Sequence, residues 1–178
     1  MKMDNEDDII KRAQKGDTRA FEQLMAHYYD VIYAFAYKYC GRVADAEDIT
    51  QNTCIKLARS LDQFKGKSAF SSWLYRLVIN CAKDWYKSQS RHPENPDAME
   101  SVKTNAQGEE AVYNREILTA ISALPEGERE AIILVHAEGL SHKEAGDILG
   151  CKESTISWRI HEARKKLSAQ FGKEHHYG

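Results

Sequence analysis

The sequence predicts an all-α protein, built as two small helical domains joined by a flexible linker. Three observations carry this. Apolar residues recur at three- and four-residue steps over long stretches, which puts them on one side of a helix. Glycines close those stretches one after another, as the left-handed residue past a helix end. The periodicity then stops across residues 89–108, where two of the three prolines stand among polar residues. This division puts a first domain at residues 1–88, a linker at 89–108 and a second domain at 109–178.

Asp7 to Lys15 reads as a short helix closed at Gly16. Asp17 is then an N-cap for a long helix from Thr18 to about Tyr39. Phe21, Leu24, Met25, Tyr28, Ile32, Phe35, Ala36 and Tyr39 form its core-facing stripe, so its many aromatics are read as core rather than base-stacking residues. Gly41 ends it. A further helix, opened by Asp45, Glu47 and Asp48, runs to about Ser60 with Ile49, Ile55 and Leu57 among its apolar positions. Acids in a first turn complement the helix dipole. Three in four residues exceed that need and would equally serve a basic partner; the residues alone leave both readings open.

Leu61 to Ser72 reads as a loop around Gly66, with two aromatics and two lysines. The next helix, Trp73 to about Ser88, turns Leu74, Leu77, Val78 and Cys81 inward and interleaves Arg76, Lys83 and Lys87 with Trp73, Tyr75, Trp85 and Tyr86. Such interleaving suits single-stranded nucleic acid, with charge for the backbone and π-faces for unstacked bases. An aromatic-rich core helix would show the same composition.

The second domain opens with a helix from about Glu109 to Ala123, broken by Leu124-Pro125, with Pro125 suited to the first turn of the next. That helix, Glu126 to about Glu138, stops at Gly139 and leads into residues 141–167, SHKEAGDILGCKESTISWRIHEARKKL. Ser141 and Glu144 have capping-box spacing, Gly146 is a small residue at a close approach, and Gly150 ends the short helix. In the following helix Ile156, Ile160, Ala163 and Leu167 share one stripe, and Ser157, Trp158, His161, Glu162 and Lys165 lie opposite, with Arg159, Arg164 and Lys166 on the flanks. One apolar edge and one polar, basic edge are what a recognition helix needs. The tail after Phe171 is polar and reads as frayed.

Composition narrows the function. Of 178 residues, 42% are hydrophobic and 29% charged, as in soluble globular proteins. No apolar run approaches a membrane span, and the acidic start does not read as a secretory signal, so a cytoplasmic protein with no membrane insertion of its own is expected. Cys40, Cys54, Cys81 and Cys151 are dispersed, and no metal or cofactor is expected. The net charge is −2; residues 1–88 carry 14 basic and 12 acidic side chains, and residues 109–178 carry 9 and 12. Such a balance gives weak nonspecific attraction to phosphate, so a DNA reader of this kind leans on a partner for affinity. An enzyme acting on DNA would need a nucleophile with its base or a carboxylate cluster, and Asp45 with Asp48 has no histidine or further acid at ligand spacing. A stand-alone helix-turn-helix regulator is the other alternative, and it would bind a palindromic duplex.

In order, Asp45-Ala-Glu-Asp-Ile with Gln51, Phe70-Ser-Ser-Trp-Leu-Tyr-Arg with Asn80, the Leu124-Pro125 start, Gly139 to Gly150 and His161 to Leu167 make up a chain that resembles a bacterial sigma factor. The class is the extracytoplasmic-function (ECF, group IV) branch of the sigma-70 family, and the resemblance runs from about Ile9 to Phe171. It implies a non-enzymatic initiation factor that binds core RNA polymerase and recognises −10 and −35 promoter elements, under the control of an anti-sigma factor. The acids then gain a basic partner: Asp45, Glu47, Asp48 and Gln51 match the polymerase-binding segment. Phe64, Lys65, Gly66, Lys67, Ser68 and Phe70 match the loop that pockets a flipped −10 base, and Trp73, Arg76, Asn80 and Lys83 line the strand's path. Glu153, Ser154, Thr155, Ser157, Trp158, Arg159, His161, Arg164 and Lys165 match the −35 reader. Ser157 and Glu162 stand where many relatives are basic and Trp158 is large for a groove-facing position, so no promoter sequence follows. Asn52, where an acid is common, departs from the polymerase-binding pattern.

Overall fold

The computed structural model describes residues 3–91 and 109–172, with side chains from residue 114 onward in the second stretch. Eight α-helices follow in order: α1 (Glu6–Gln14), α2 (Thr18–Cys40), α3 (Val43–Ser60), α4 (Phe70–Arg91), α5 (Glu109–Ser122), α6 (Glu126–Ile132), α7 (His142–Leu149) and α8 (Glu153–Phe171). A 3-10 turn at Leu61–Gln63 precedes the loop before α4, and a π-helical turn at Ile133–Ala137 continues α6. No strand occurs among the described residues, as an all-α fold requires. The chain separates into two compact units, one of Met1–Ala36 with Ala44–Glu94 and one of Tyr37–Val43 with Asn95–Gly178. Of the segment read as a linker, residues 89–91 belong to α4 and residues 92–108 lie outside the described residues, as does the tail from residue 173.

The first unit packs α1 to α4 around the stripe read from α2. Leu24, Tyr28, Ile32, Phe35 and Ala36 are buried together with Ile49 and Leu57 of α3 and Leu74 and Val78 of α4. Side chains of this size contribute roughly 1.5–3 kcal/mol each when fully buried. Two threonines inside α3 avoid a polar penalty by bonding back one turn: the Thr50 hydroxyl donates to the Ala46 carbonyl and that of Thr53 to Ile49. Gly16, at φ 90°, makes the bend between α1 and α2. Asp17 then caps α2 by accepting from the Ala20 amide while Arg12 grips its other oxygen through two nitrogens, which holds its carboxyl below the ordinary range.

Three boundaries differ from the sequence expectation. α4 begins at Phe70 rather than Trp73, because the amides of Ser72 and Trp73 already bond the Ala69 carbonyl and Phe70 is drawn into the core. Pro125 (φ −51°, ψ 144°) stands at the N-cap, one place ahead of the first helical turn. α6 stops being α-helical at Ile132: Ala131, Ile132, Ile133 and Leu134 are four successive buried residues, more than one face of a 3.6-residue helix can hide. The chain widens there, with the Glu138 amide reaching back five residues to Ile133, before Gly139 turns it at φ 71°. All four cysteines are free, and Cys40 and Cys81 are buried.

Candidate nucleic-acid interface

The loop of the first unit is built on an aromatic cluster. Phe70 is buried at its base, with ring centroids 5.1 Å from Tyr28, 5.2 Å from Phe64 and 5.6 Å from Trp73. Phe64 and Trp73 are half-buried, 5.6 Å apart, so each presents one side outward. Between them Lys65, Gly66, Lys67, Ser68 and Ala69 are exposed, and Gly66 takes the left-handed conformation (φ 69°) that lets the loop turn. Along α4, Trp73, Arg76, Asn80 and Lys83 follow at steps of three and four residues, hence on one face; Arg76 and Asn80 are exposed and Lys83 is half-buried. The surface therefore offers π-faces and cations side by side, the chemistry that holds an unpaired strand. Phe70 is the exception among the residues read as strand contacts, because at 2% exposure it is chiefly the anchor of the loop.

Two voids flank Phe64. One, of about 320 Å³, is lined by Asp7, Ile10, Lys11, Gln14, Phe64, Lys65 and Gly66. The other, of about 300 Å³, lies between α1 and the rest of the loop, with Tyr28, Phe64, Ser68, Phe70 and Ser71 in its walls. Gln14 is the residue that sequence reasoning missed here. Its side-chain nitrogen donates to the carbonyls of Leu61 (2.9 Å) and Phe64 (2.8 Å), nearly fifty residues away. A polar residue at the end of a short helix gives no local signal of such a bond.

In the second unit the helix-turn-helix is built as the spacing predicts. Ser141 Oγ accepts from the Glu144 amide (3.2 Å) and Glu144 Oε2 accepts from the Ser141 amide (2.8 Å), a closed capping box that pulls the Glu144 carboxyl below its ordinary range. Gly150 ends α7 at φ 66°. At Gly146 a Cβ would stand 2.7 Å from the Cys151 carbonyl, so the turn passes too close for any side chain. On α8 Ile156, Ile160 and Ala163 are buried and Leu167 half-buried, while Glu153, Ser154, Ser157, Trp158, His161, Arg164 and Lys165 are exposed and Thr155 is half-buried. Trp158 is 59% exposed and His142 Nδ1 lies 2.8 Å from Ser157 Oγ, which fixes that hydroxyl beside it. Arg159 lies differently: its guanidinium fills the space a Cβ on Gly127 would need (2.8 Å), so it packs on its own unit. Lys166 likewise bonds the buried Glu128 at 2.5 Å.

α3 sorts its acids. Asp45 is buried, at 9% exposure, and lies off the outer surface, whereas Glu47, Asp48 and Gln51 are exposed. Ile55, read as a core position, is 51% exposed on the same outward face, one turn beyond Gln51. It adjoins a groove between α3 and α4 lined by Asn52, Lys56, Arg59, Cys81, Asp84 and Trp85. The outer face of α3 thus carries two exposed carboxylates, Glu47 and Asp48, beside the exposed Gln51 and Ile55. Burial pushes the Cys81 thiol up, so the groove's cysteine is an unreactive wall residue.

A helical unit with a basic, aromatic loop and a second with a built helix-turn-helix together have the surfaces of a DNA-binding protein. The Sigma-70 region 2 family matches residues 24–92 and the Sigma-70, region 4 family matches residues 114–167. The chain is 33% identical to the ECF RNA polymerase sigma-E factor of Escherichia coli (strain K12), covering 89% of this chain and 90% of that one. It is 32% identical to the ECF RNA polymerase sigma-E factor of Haemophilus influenzae, covering 89% and 91%. Among solved structures it is similar to the sigma factor RpoE of Bartonella quintana, solved with the anti-sigma factor NepR (TM-score 0.71, 26% identity, 87% of this chain and 98% of that one). CnrH, solved with the cytosolic domain of CnrY, matches over 93% and 96% (TM-score 0.70, 26% identity). This chain belongs to the ECF sigma factors of RNA polymerase. It is a transcription initiation factor and not an enzyme, with a region 2 and a region 4 that bind core polymerase and promoter DNA. No described helix is long and apolar enough to cross a membrane.

Proposed function

We propose the following division of labour among the residues. The exposed strip of α3, with Glu47, Asp48, Gln51 and Ile55, grips core RNA polymerase; its two outward carboxylates and half-exposed isoleucine match a partner surface that is basic and partly apolar. The Phe64–Ala69 loop, with Trp73, Arg76, Asn80 and Lys83, takes the opened −10 strand and holds one base out of its stack. α8 reads the −35 duplex through Ser154, Ser157, Trp158, His161, Arg164 and Lys165, with the N-terminal turn of α8 at Glu153 and Thr155 entering the groove first. The first domain spans residues 1–88, carried on by the end of α4 to Arg91, and the second 109–178. The protein acts in the cytoplasm, and an anti-sigma protein holds it inactive until a stress arrives, as NepR accompanies the Bartonella factor.

The observation that carries this reading is the pairing of two half-buried aromatic faces, Phe64 and Trp73, with the exposed lysines between them. Extruding a base costs a few kcal/mol, and a shaped pocket with a stacking wall offsets that cost. The test is gel filtration of the purified protein with core RNA polymerase. A stable complex is expected, and Asp48→Arg is expected to weaken it on the order of a hundredfold. A helical protein that forms no complex, yet binds a palindromic duplex tightly, would replace this reading with a stand-alone regulator.

A further inference from the structure

α1 lies upstream of residues 24–92, so the region 2 match assigns it nothing. In the structure it is the back wall of the loop. Gln14, at the last turn of α1, uses the two N–H donors of its one amide on two backbone carbonyls, Leu61 and Phe64, which bracket the 3-10 turn leading into the loop. At the other end of α1, Glu6 is buried and accepts from the Tyr28 hydroxyl, whose ring packs on Phe70 at the loop's far end. Burial and then Glu6 raise the Tyr28 pKa, so the hydroxyl stays a donor across the working pH range. The short helix thus fastens both ends of the loop, one by backbone and one through the aromatic floor.

We propose that α1 is a working part of the strand-reading site and that Gln14 is a positioning residue for base selection, an inference that rests on the −10 role given to the loop above. The two voids beside Phe64 lie between α1 and the loop, each with residues of both in its walls. The one of about 300 Å³ has Glu6 and Asp7 in its wall together with Ser68 and Ser71. Carboxylates there repel a phosphate, so the occupant is an unpaired base entering edge-first, with the strand's phosphates left outside on Lys65 and Lys67. Gln14 touches no base. It fixes the Phe64 carbonyl, and with it the ring that divides the two voids.

The experiment selects single-stranded DNA oligonucleotides with eight randomised positions on the assembled holoenzyme, with wild-type protein and with Gln14→Met and Arg12→Gln. Methionine keeps the length of glutamine and donates nothing. Arg12 sits on the same helix, but its side chain bonds Asp17 and Asp8 and not the loop. Wild type is expected to fix at least one base, and Gln14→Met to lose about tenfold of its preference at that position and less than about twofold elsewhere. Core polymerase binding should be unchanged and Arg12→Gln should select as wild type does. Retained preference in Gln14→Met overturns the proposal. So does an equal loss at all positions, or the same loss in Arg12→Gln, since either makes α1 merely a stabilising helix. If wild type itself selects no strand, the −10 reading of the loop fails first and the proposal falls with it.

Discussion

The two surfaces proposed to read DNA are held in shape by different means. The turn of the helix-turn-helix is fixed by neighbours in sequence: Ser141 and Glu144 cap α7, Gly150 ends it, and Gly146 lets the chain pass. The loop of the first unit is fixed by residues far away, with Gln14 bonded to Leu61 and Phe64 and Tyr28 packed against Phe70. A duplex has one regular groove, so a surface preset by local rules can meet it. An opened strand has no shape of its own, and the protein must supply a pocket from separate parts of the chain.

This contrast can be broken at several points. The largest effect is expected from Phe70→Ala, which removes a 2% exposed ring shared by three aromatic neighbours. It should destabilise the first unit by about 3–5 kcal/mol, seen as a lower melting temperature, and abolish open-complex formation while leaving the fold of the second unit intact. Next comes Gly146→Val. Its Cβ would meet the backbone carbonyl of Cys151 at 2.7 Å, which no rotamer change relieves. A cost of about 3 kcal/mol is expected, with loss of −35 duplex binding in a gel-shift assay and no change in selection of single strands.

Smaller effects sharpen the comparison. Ser141→Ala should cost about 1 kcal/mol, measured by denaturant midpoint of residues 109–178 if that module is shown to fold alone, or by the second transition of the whole chain otherwise. The same cap carries a pH dependence. The Ser141 amide, then its hydroxyl, depresses the Glu144 carboxyl in the folded state, so protons bind the unfolded chain more readily. The contribution is therefore complete above the ordinary carboxylate range and is lost as acid titrates Glu144 in the folded protein; Glu144→Gln should flatten that part of the melting profile. The smallest stability effect is expected from Trp158→Ala, within about 0.5 kcal/mol because the ring is 59% exposed, yet −35 affinity should fall severalfold.

Legibility in the sequence followed the same divide. The helices, the capping box and the stripe of Ile156, Ile160 and Ala163 could be read because each rests on spacings within a few turns. The roles of Asp45 and Ile55 could not. Both fit the α3 pattern, an acid in the first turn and an apolar residue at a core step, yet the acid is buried and the isoleucine is 51% exposed. Which side of a helix is covered depends on what packs against it. Phe70 was drawn from its loop into the core by Tyr28, Phe64 and Trp73, and Gln14 found its partners across some fifty residues; neither leaves a local trace.

The withdrawn arginine of α8 has a consequence for salt dependence. With Arg159 packed on Gly127 and Lys166 tied to Glu128, Arg164 and Lys165 are the exposed basic residues among those proposed to meet the −35 duplex. If those two supply the phosphate contacts of α8, its share of the slope of log K on log salt is only about −2. Binding of this helix to duplex should then fall less with rising salt than that of a more cationic recognition helix.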